Sequence, residues 1–151
     1  MSASVKVIDK GYDALIARLD KAARERVLTV GVHEEEGAGD HDGKSIADIA
    51  AIHEFGLGVP QRSFIGAWAD STEAEHANDL RKMGEALVKG TITDPAQAFE
   101  QLGEKYVGEV QTRIAGGIAP PNAPATIARK GSSTPLIDTG ILRSSITKRV
   151  T

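Results

Sequence analysis

Residues 38–45 read Ala-Gly-Asp-His-Asp-Gly-Lys-Ser, one glycine short of a phosphate-binding loop. The full pattern needs Gly at position 38 and a cradle of backbone N–H groups around the phosphate. Here the cradle carries Asp40 and Asp42, with Glu34, Glu35 and Glu36 beside it. Several carboxylates within about 10 Å of a triphosphate repel it, and one lysine does not offset them. His53-Glu54 opens like a zinc-protease motif, but the second His is due at position 57, where the chain has Leu57. His33 and His41, with Asp40 and Asp42, make only a loose set of cation ligands. An EF-hand with Gly43 at its sixth position needs oxygen ligands where Ala38 and Ile49 stand. Ser132, Ser133, Ser144 and Ser145 lie in no Gly-x-Ser-x-Gly elbow, and Cys is absent. The expectation is a protein with no catalytic residues, no metal and no cofactor, in which His53 is a half-buried packing residue.

The elements that would position these residues follow from hydrophobic spacing. With 151 residues, 40% of them apolar, the chain suits one domain spanning 1–151. No run approaches the roughly 18 apolar residues of a membrane span. The first residues lack the apolar core of a signal peptide, and the absence of Cys suits a reducing compartment, so an intracellular protein is expected. A short strand over 5–8 is predicted, then a helix over 10–26 on the spacing of Tyr12, Leu15, Ile16 and Leu19. Val27–His33 reads as a strand, and 34–43, with three Gly and five acids, as a mobile loop. Ser45 and Asp48 form a capping box for a helix ending near Phe55. Ser63 opens a helix of uncertain continuity, and Thr93-Asp94-Pro95 opens another that presents Phe99, Leu102, Tyr106, Val110 and Ile114 on one side. A proline-stiffened stretch, a short Thr-Ile-Ala-Arg-Lys turn, a helical piece at 141–145 and a strand at 146–151 complete an α+β fold. Its helices pack on a small, mainly antiparallel sheet, with long Gly- and Pro-rich loops at 34–43 and 117–135 that are expected to be mobile in the isolated subunit, at least one of them ordering on assembly.

Charge is uneven along the chain. Residues 1–75 sum to −6 and residues 76–151 to +3. The acids concentrate between Glu34 and Glu54, and the bases lie beyond Val110. If these lie on opposite flanks of a subunit, copies can associate head to tail, and such a contact closes into a ring when its rotation allows.

Three blocks occur in a defined order. The first is Ile49-Ala50-Ala51-Ile52-His53-Glu54-Phe55-Gly56 followed by Val59-Pro60-Gln61-Arg62-Ser63-Phe64. The second is Ile118-Ala119-Pro120-Pro121-Asn122-Ala123-Pro124-Ala125-Thr126, running into Arg129-Lys130-Gly131. The third is Pro135-Leu136-Ile137-Asp138-Thr139-Gly140-Ile141-Leu142-Arg143-Ser144-Ser145-Ile146. This set resembles the tail-completion (tail-component, or neck) proteins of tailed bacteriophages, and its second half is similar to the phage virion-morphogenesis proteins. The resemblance spans roughly 27–66 and 101–150.

The resemblance implies a non-enzymatic virion protein, assembled in the host cytoplasm, at the head–tail junction. It implies a homo-oligomeric ring, hexamer or dodecamer, that meets connector, tail-terminator or tail-tube proteins and touches passing DNA transiently. On that reading Glu34, Glu35, Glu36, Phe55, Pro60, Arg62, Phe64 and Arg143 are candidates for subunit or partner contact. Phe55 and Phe64 are also expected to pin their Gly/Pro turn to the core. Arg129, Lys130, Lys148 and Arg149 are candidates for a DNA channel, and Asp138, Thr139 and Gly140 for a tight structural turn. The competing reading is a small intracellular adaptor or nucleic-acid-associated binding module. A metal-dependent hydrolase built on the acidic loop is a third.

Overall fold

A computed structural model describes residues 10–22, 24, 26–33, 40–41, 44–131 and 140–151. The expected strand at 5–8, the acids Glu34, Glu35 and Glu36, and the turn residues Asp138 and Thr139 lie outside the described residues. So do the side chains of Arg129 and Lys130.

The order of elements is α1 (Tyr12–Ala22), β1 (Leu28–Gly31), β2 (Asp40–His41), β3 (Lys44–Ser45), α2 (Ile46–Phe55), α3 (Gly66–Lys89), α4 (Pro95–Ala115), α5 (Pro124–Lys130), α6 (Ile141–Ser144) and β4 (Thr147–Val150). The domain is mostly helical. Its open sheet is one antiparallel pair, β1 against β4, with Leu28 opposite Val150 and Gly31 opposite Thr147. Paired backbone bonds between Val27 and Thr151 extend that ladder. A second antiparallel pair, β2 with β3, matches Asp40 to Ser45 and His41 to Lys44, with β2 inside the 34–43 stretch that reads from sequence as a loop.

Helix α4 is the spine of the domain. Asp94 accepts the Ala96 N–H at 3.0 Å and Pro95 occupies the first turn, as the Thr-Asp-Pro start predicts. Ala98, Tyr106, Val110 and Ile114 are buried on one side, in register with β1, β4, α3 and α6. Gly103 lies where the sheet crosses: a Cβ there would sit 2.9 Å from Leu28 Cδ1 and closer still to Lys148 Cδ. The core is Ile46, Ala50, Phe64, Trp68, Tyr106, Val110, Ile114, Leu142 and Ile146, with Ile49, Ile65, Leu102 and Ile118 packed against it.

The outer helices depart from their sequence readings for identifiable reasons. Helix α1 is shorter than predicted and buries none of its residues, because only Leu15 and Ile16 of its apolar stripe are half covered. Tyr12 stays 67% exposed. Arg18 docks the helix instead, donating through Nε to the Leu87 carbonyl at 3.1 Å and through Nη2 to Val88 at 3.4 Å. A guanidinium there satisfies the last carbonyls of α3 and complements its dipole. Helix α3 is continuous over 24 residues despite Gly66, Ser71 and Gly84. The short turn predicted at 126–130 is a helix, α5, started by Pro124 and stopped by Gly131 in the left-handed region.

Replacing Gly103 by Val crowds the Leu28 and Lys148 side chains, which must shift to admit it. The expected loss is about 1–3 kcal/mol, read as a lower urea midpoint; a midpoint equal to that of the parent protein refutes the close approach.

Candidate functional site

The first block is organised by one carboxylate. Ser45 and Asp48 cap α2 in the predicted reciprocal box, so the helix presents Glu54 on its last turn. Gly56 then ends α2 at φ 69°, with a backbone so close to Gln61 that a Cβ would lie 2.9 Å from Gln61 Cβ. The chain turns back on bonds from Leu57 N to the Ile52 carbonyl, Arg62 N to the His53 carbonyl and Gln61 Nε2 to the Glu54 carbonyl. This brings the start of α3 onto the Glu54 side chain. Glu54 Oε2 accepts from Phe64 N at 2.9 Å and Ile65 N at 3.1 Å, and Oε1 accepts from Gly66 N at 2.9 Å and the Ser63 hydroxyl at 2.6 Å. Ser63 Oγ in turn accepts from Ala67 N at 2.9 Å, although the helix starts later than expected, with Ile65 and not Ser63 at its N-cap. Burial disfavours ionised Glu54, but the hydrogen bonds from Ser63, Ile65, Gly66 and Phe64 outweigh it and hold its carboxyl below the usual range.

The neighbouring Arg62 is buried, at 6% exposure. Its Nε donates to the Pro120 carbonyl at 2.9 Å and its Nη2 reaches the Pro121 carbonyl at 3.5 Å. It therefore ties the first block to the second, and is not placed on the surface as a contact for a neighbouring carboxylate. Phe64 is fully buried, so it pins the turn and is not available as a contact residue. Phe55 does the opposite. It is 67% exposed, because Gly56 reverses the chain before the side chain can reach the core. Pro60 is exposed beside it. The third block meets the other two in the core through Leu142 and Ile146. Gly140 precedes α6 at φ 76°, and Arg143 points outward as expected.

Of the basic residues assigned to a channel, Lys148 is not free. Its ammonium binds Glu100 and lies 3.5 Å from Glu104, both on α4, and the Glu100 bond raises its pKa. Arg149 is half-buried on β4 and also engaged. His33 lies between two hydroxyls, Thr29 at 3.0 Å and Thr147 at 2.9 Å, and joins β1 to β4. His53 is half-buried, as expected. Among the described residues no group of three or more His, Asp or Glu is placed to hold a metal ion.

A second constellation escapes motif reading. Trp68, Thr72 and His76 recur every four residues along α3 and face Lys105, Tyr106 and Glu109 on α4. Glu109 Oε2 accepts from Trp68 Nε1 at 2.9 Å and lies 3.1 Å from His76 Nε2. The His76 ring sits 4.0 Å from Tyr106 and 4.9 Å from Trp68, centroid to centroid. Thr72 Oγ1 donates to the Trp68 carbonyl at 2.7 Å, which leaves its lone pair toward His76 Nδ1 at 3.4 Å. Both ring nitrogens thus face acceptors. Lys105 binds Glu75 at 2.8 Å and Asp79 at 2.6 Å, and these bonds raise its pKa while lowering that of Asp79. Burial opposes ionised Glu109, but the Trp68 and His76 hydrogen bonds and the Lys105 charge hold its carboxyl low. Burial, aided by the Asp79 charge, pushes Tyr106 up to about 12. The cluster bolts α3 to α4 through these paired groups, while the Tyr106 hydroxyl is buried beside them without a hydrogen-bond partner among the described residues. Only an i, i+4 reading of both helices together could have found it in the sequence.

Neither protein-family models, nor curated proteins, nor solved structures include a match to this chain.

The depressed carboxyls give a signed pH dependence. Glu54 and Glu109 bind protons less readily folded than unfolded, so their contribution is present above the ordinary carboxylate range and is lost as pH falls through the folded values. Glu54→Gln is expected to cost about 1.5–3 kcal/mol near neutral pH and to flatten the acid limb of stability against pH. Urea melts between neutral and acid pH check this; an unchanged acid limb refutes the capping role.

Proposed function

We propose that the chain is a structural protein of the phage head–tail junction, a tail-completion or neck component that assembles as a ring and performs no catalysis. The observation that carries the reading is the interlock of the three resemblance blocks. Arg62 of the first holds the Pro120 and Pro121 carbonyls of the second. Phe64, Ile118 and Leu142, one from each block, pack in or against the same core. Residues that recur together as a pattern are expected to act on one another, and these do.

The chemistry of the site supports the same reading. Glu54 is committed to four donors, three backbone N–H groups and the Ser63 hydroxyl, and Arg62 to two carbonyls. What the arrangement delivers outward is a turn held by backbone bonds that carries Phe55, Leu57 and Pro60 on the surface. A rigid apolar tip loses little freedom on contact, which suits an assembly protein. In this reading Phe55 and Pro60 meet a neighbouring subunit or junction protein, while Glu34, Glu35, Glu36 and Arg143 guide its approach. Arg129 and Lys130 are the remaining channel candidates, and strong binding of sliding DNA is not expected from so few.

Electron microscopy of the purified full chain, and of the virion whose genome encodes it, tests the proposal. Rings with an open centre, and the same ring at the neck of the particle, are the expected result. Monomers at every concentration and no corresponding density at the neck refute it.

A further inference from the structure

A groove of about 640 Å³ lies beside the α2–α3 turn, between the start of α3 and the end of α4. Two of its lining side chains bear full and opposite charges, Asp70 on α3 and Arg113 on α4. Among the described residues, neither side chain has a hydrogen-bond or ion-pair partner, and Arg113 Nε is buried without an acceptor. Further along the same seam the contrast is complete, since Lys105 there is ringed by Glu75, Asp79 and Glu109. A buried guanidinium N–H left without an acceptor is costly, and folded proteins keep few of them.

We propose that this groove is a two-fold contact between copies of the chain, in which Asp70 of each copy pairs with Arg113 of the other. The occupant follows from charge. A partner of a single sign would satisfy one of the two residues and oppose the other. A second copy turned by a two-fold axis presents the same pair in reverse, which is the self-complementarity an isologous interface requires. The form of the groove agrees. Gly66, Ala67, Gly117 and Ala119 make low walls that admit close approach. Ile118, with Ala67 and Ala119, supplies apolar area to bury. This contact is distinct from the head-to-tail contact that closes a ring and does not rest on the phage reading.

Sedimentation of the full chain over a range of concentrations tests it. The parent is expected to self-associate, more weakly at high salt. Asp70→Arg and Arg113→Asp should each shift association to concentrations higher by about tenfold or more. An equimolar mixture of the two variants should recover it, because opposite charges then meet at both contacts. Circular dichroism melts establish that each variant is folded. Asp70 is exposed, so Asp70→Arg decides the matter even if Arg113→Asp fails to fold. A parent that is monomeric throughout overturns the proposal, and one that also binds free glutamate by calorimetry makes the groove a small-ligand site instead. A parent that associates, even as a ring, no differently from Asp70→Arg overturns it too, while leaving the ring reading standing.

Discussion

Helix α3 begins without a side-chain cap of its own, and the whole N-terminal half of the core depends on how that is solved. Ile65 and Gly66 open it, and neither offers an oxygen to the free N–H groups of the first turn. The Glu54 carboxylate supplies the oxygens from the last turn of α2, taking three backbone N–H groups and the Ser63 hydroxyl. An ionised carboxylate suits the positive end of a helix dipole, and charge-assisted bonds are the strong ones. Because the cap comes from another helix, it also sets the relation between α2 and α3. That relation drives Phe64 and Trp68 into the core and turns Phe55 away from it. One interaction thus decides which aromatic of the first block packs and which remains at the surface.

Arg62 extends the constraint to the C-terminal half. A buried cation is expensive unless its donors find acceptors, and here backbone carbonyls of a proline-rich stretch provide them. Prolines suit this role. They bring no N–H that would need a partner of its own, and their rings stiffen the bend that presents the carbonyls. A lysine would bring a point charge in place of the two-pronged guanidinium and could not span both carbonyls in the same way. Through this link, residues 118–121 are fixed against the α2–α3 turn, while Leu142 and Ile146 close the core from the other side.

Much of this was legible, and the failures have physical reasons. Local signals read well: the Ser45/Asp48 box, the Asp94-Pro95 start, the Gly56 stop and the β1 and β4 segments all form where their residue types put them. The motif-bearing residues were legible as important but not in their roles. Nothing in sequence spacing says that Glu54 reaches forward to cap the next helix, or that Arg62 reaches 58 residues on to Pro120. The same pattern made Arg62 look like a contact on a turn, when its guanidinium is internal. The His76 cluster was invisible because each helix contributes only half of it. Helix α1 was over-read, since an apolar stripe states what a helix could bury and not whether a neighbour is there to cover it.

The charge segregation shows how an inference along the chain can fail in space. Basic residues late in the sequence suggested a free positive flank. Yet β4 returns to pair with β1 across α4, and that return sets Lys148 on Glu100 and Glu104. A late base thereby meets acids of its own half of the chain, and its charge is neutralised where the fold brings them together. Surface pairs of this kind each contribute little, but they remove charge from the inventory that could steer a partner. Among the described residues, the outward features include Arg143 on α6, Asp70 and Arg113 at their groove, and the apolar tip of the α2–α3 turn. Recognition built on those features depends on shape held in advance by Glu54 and Arg62. In the proposed association, the buried part of the first block would act through the rigidity it gives the exposed part, with no need for the buried side chains to touch a partner.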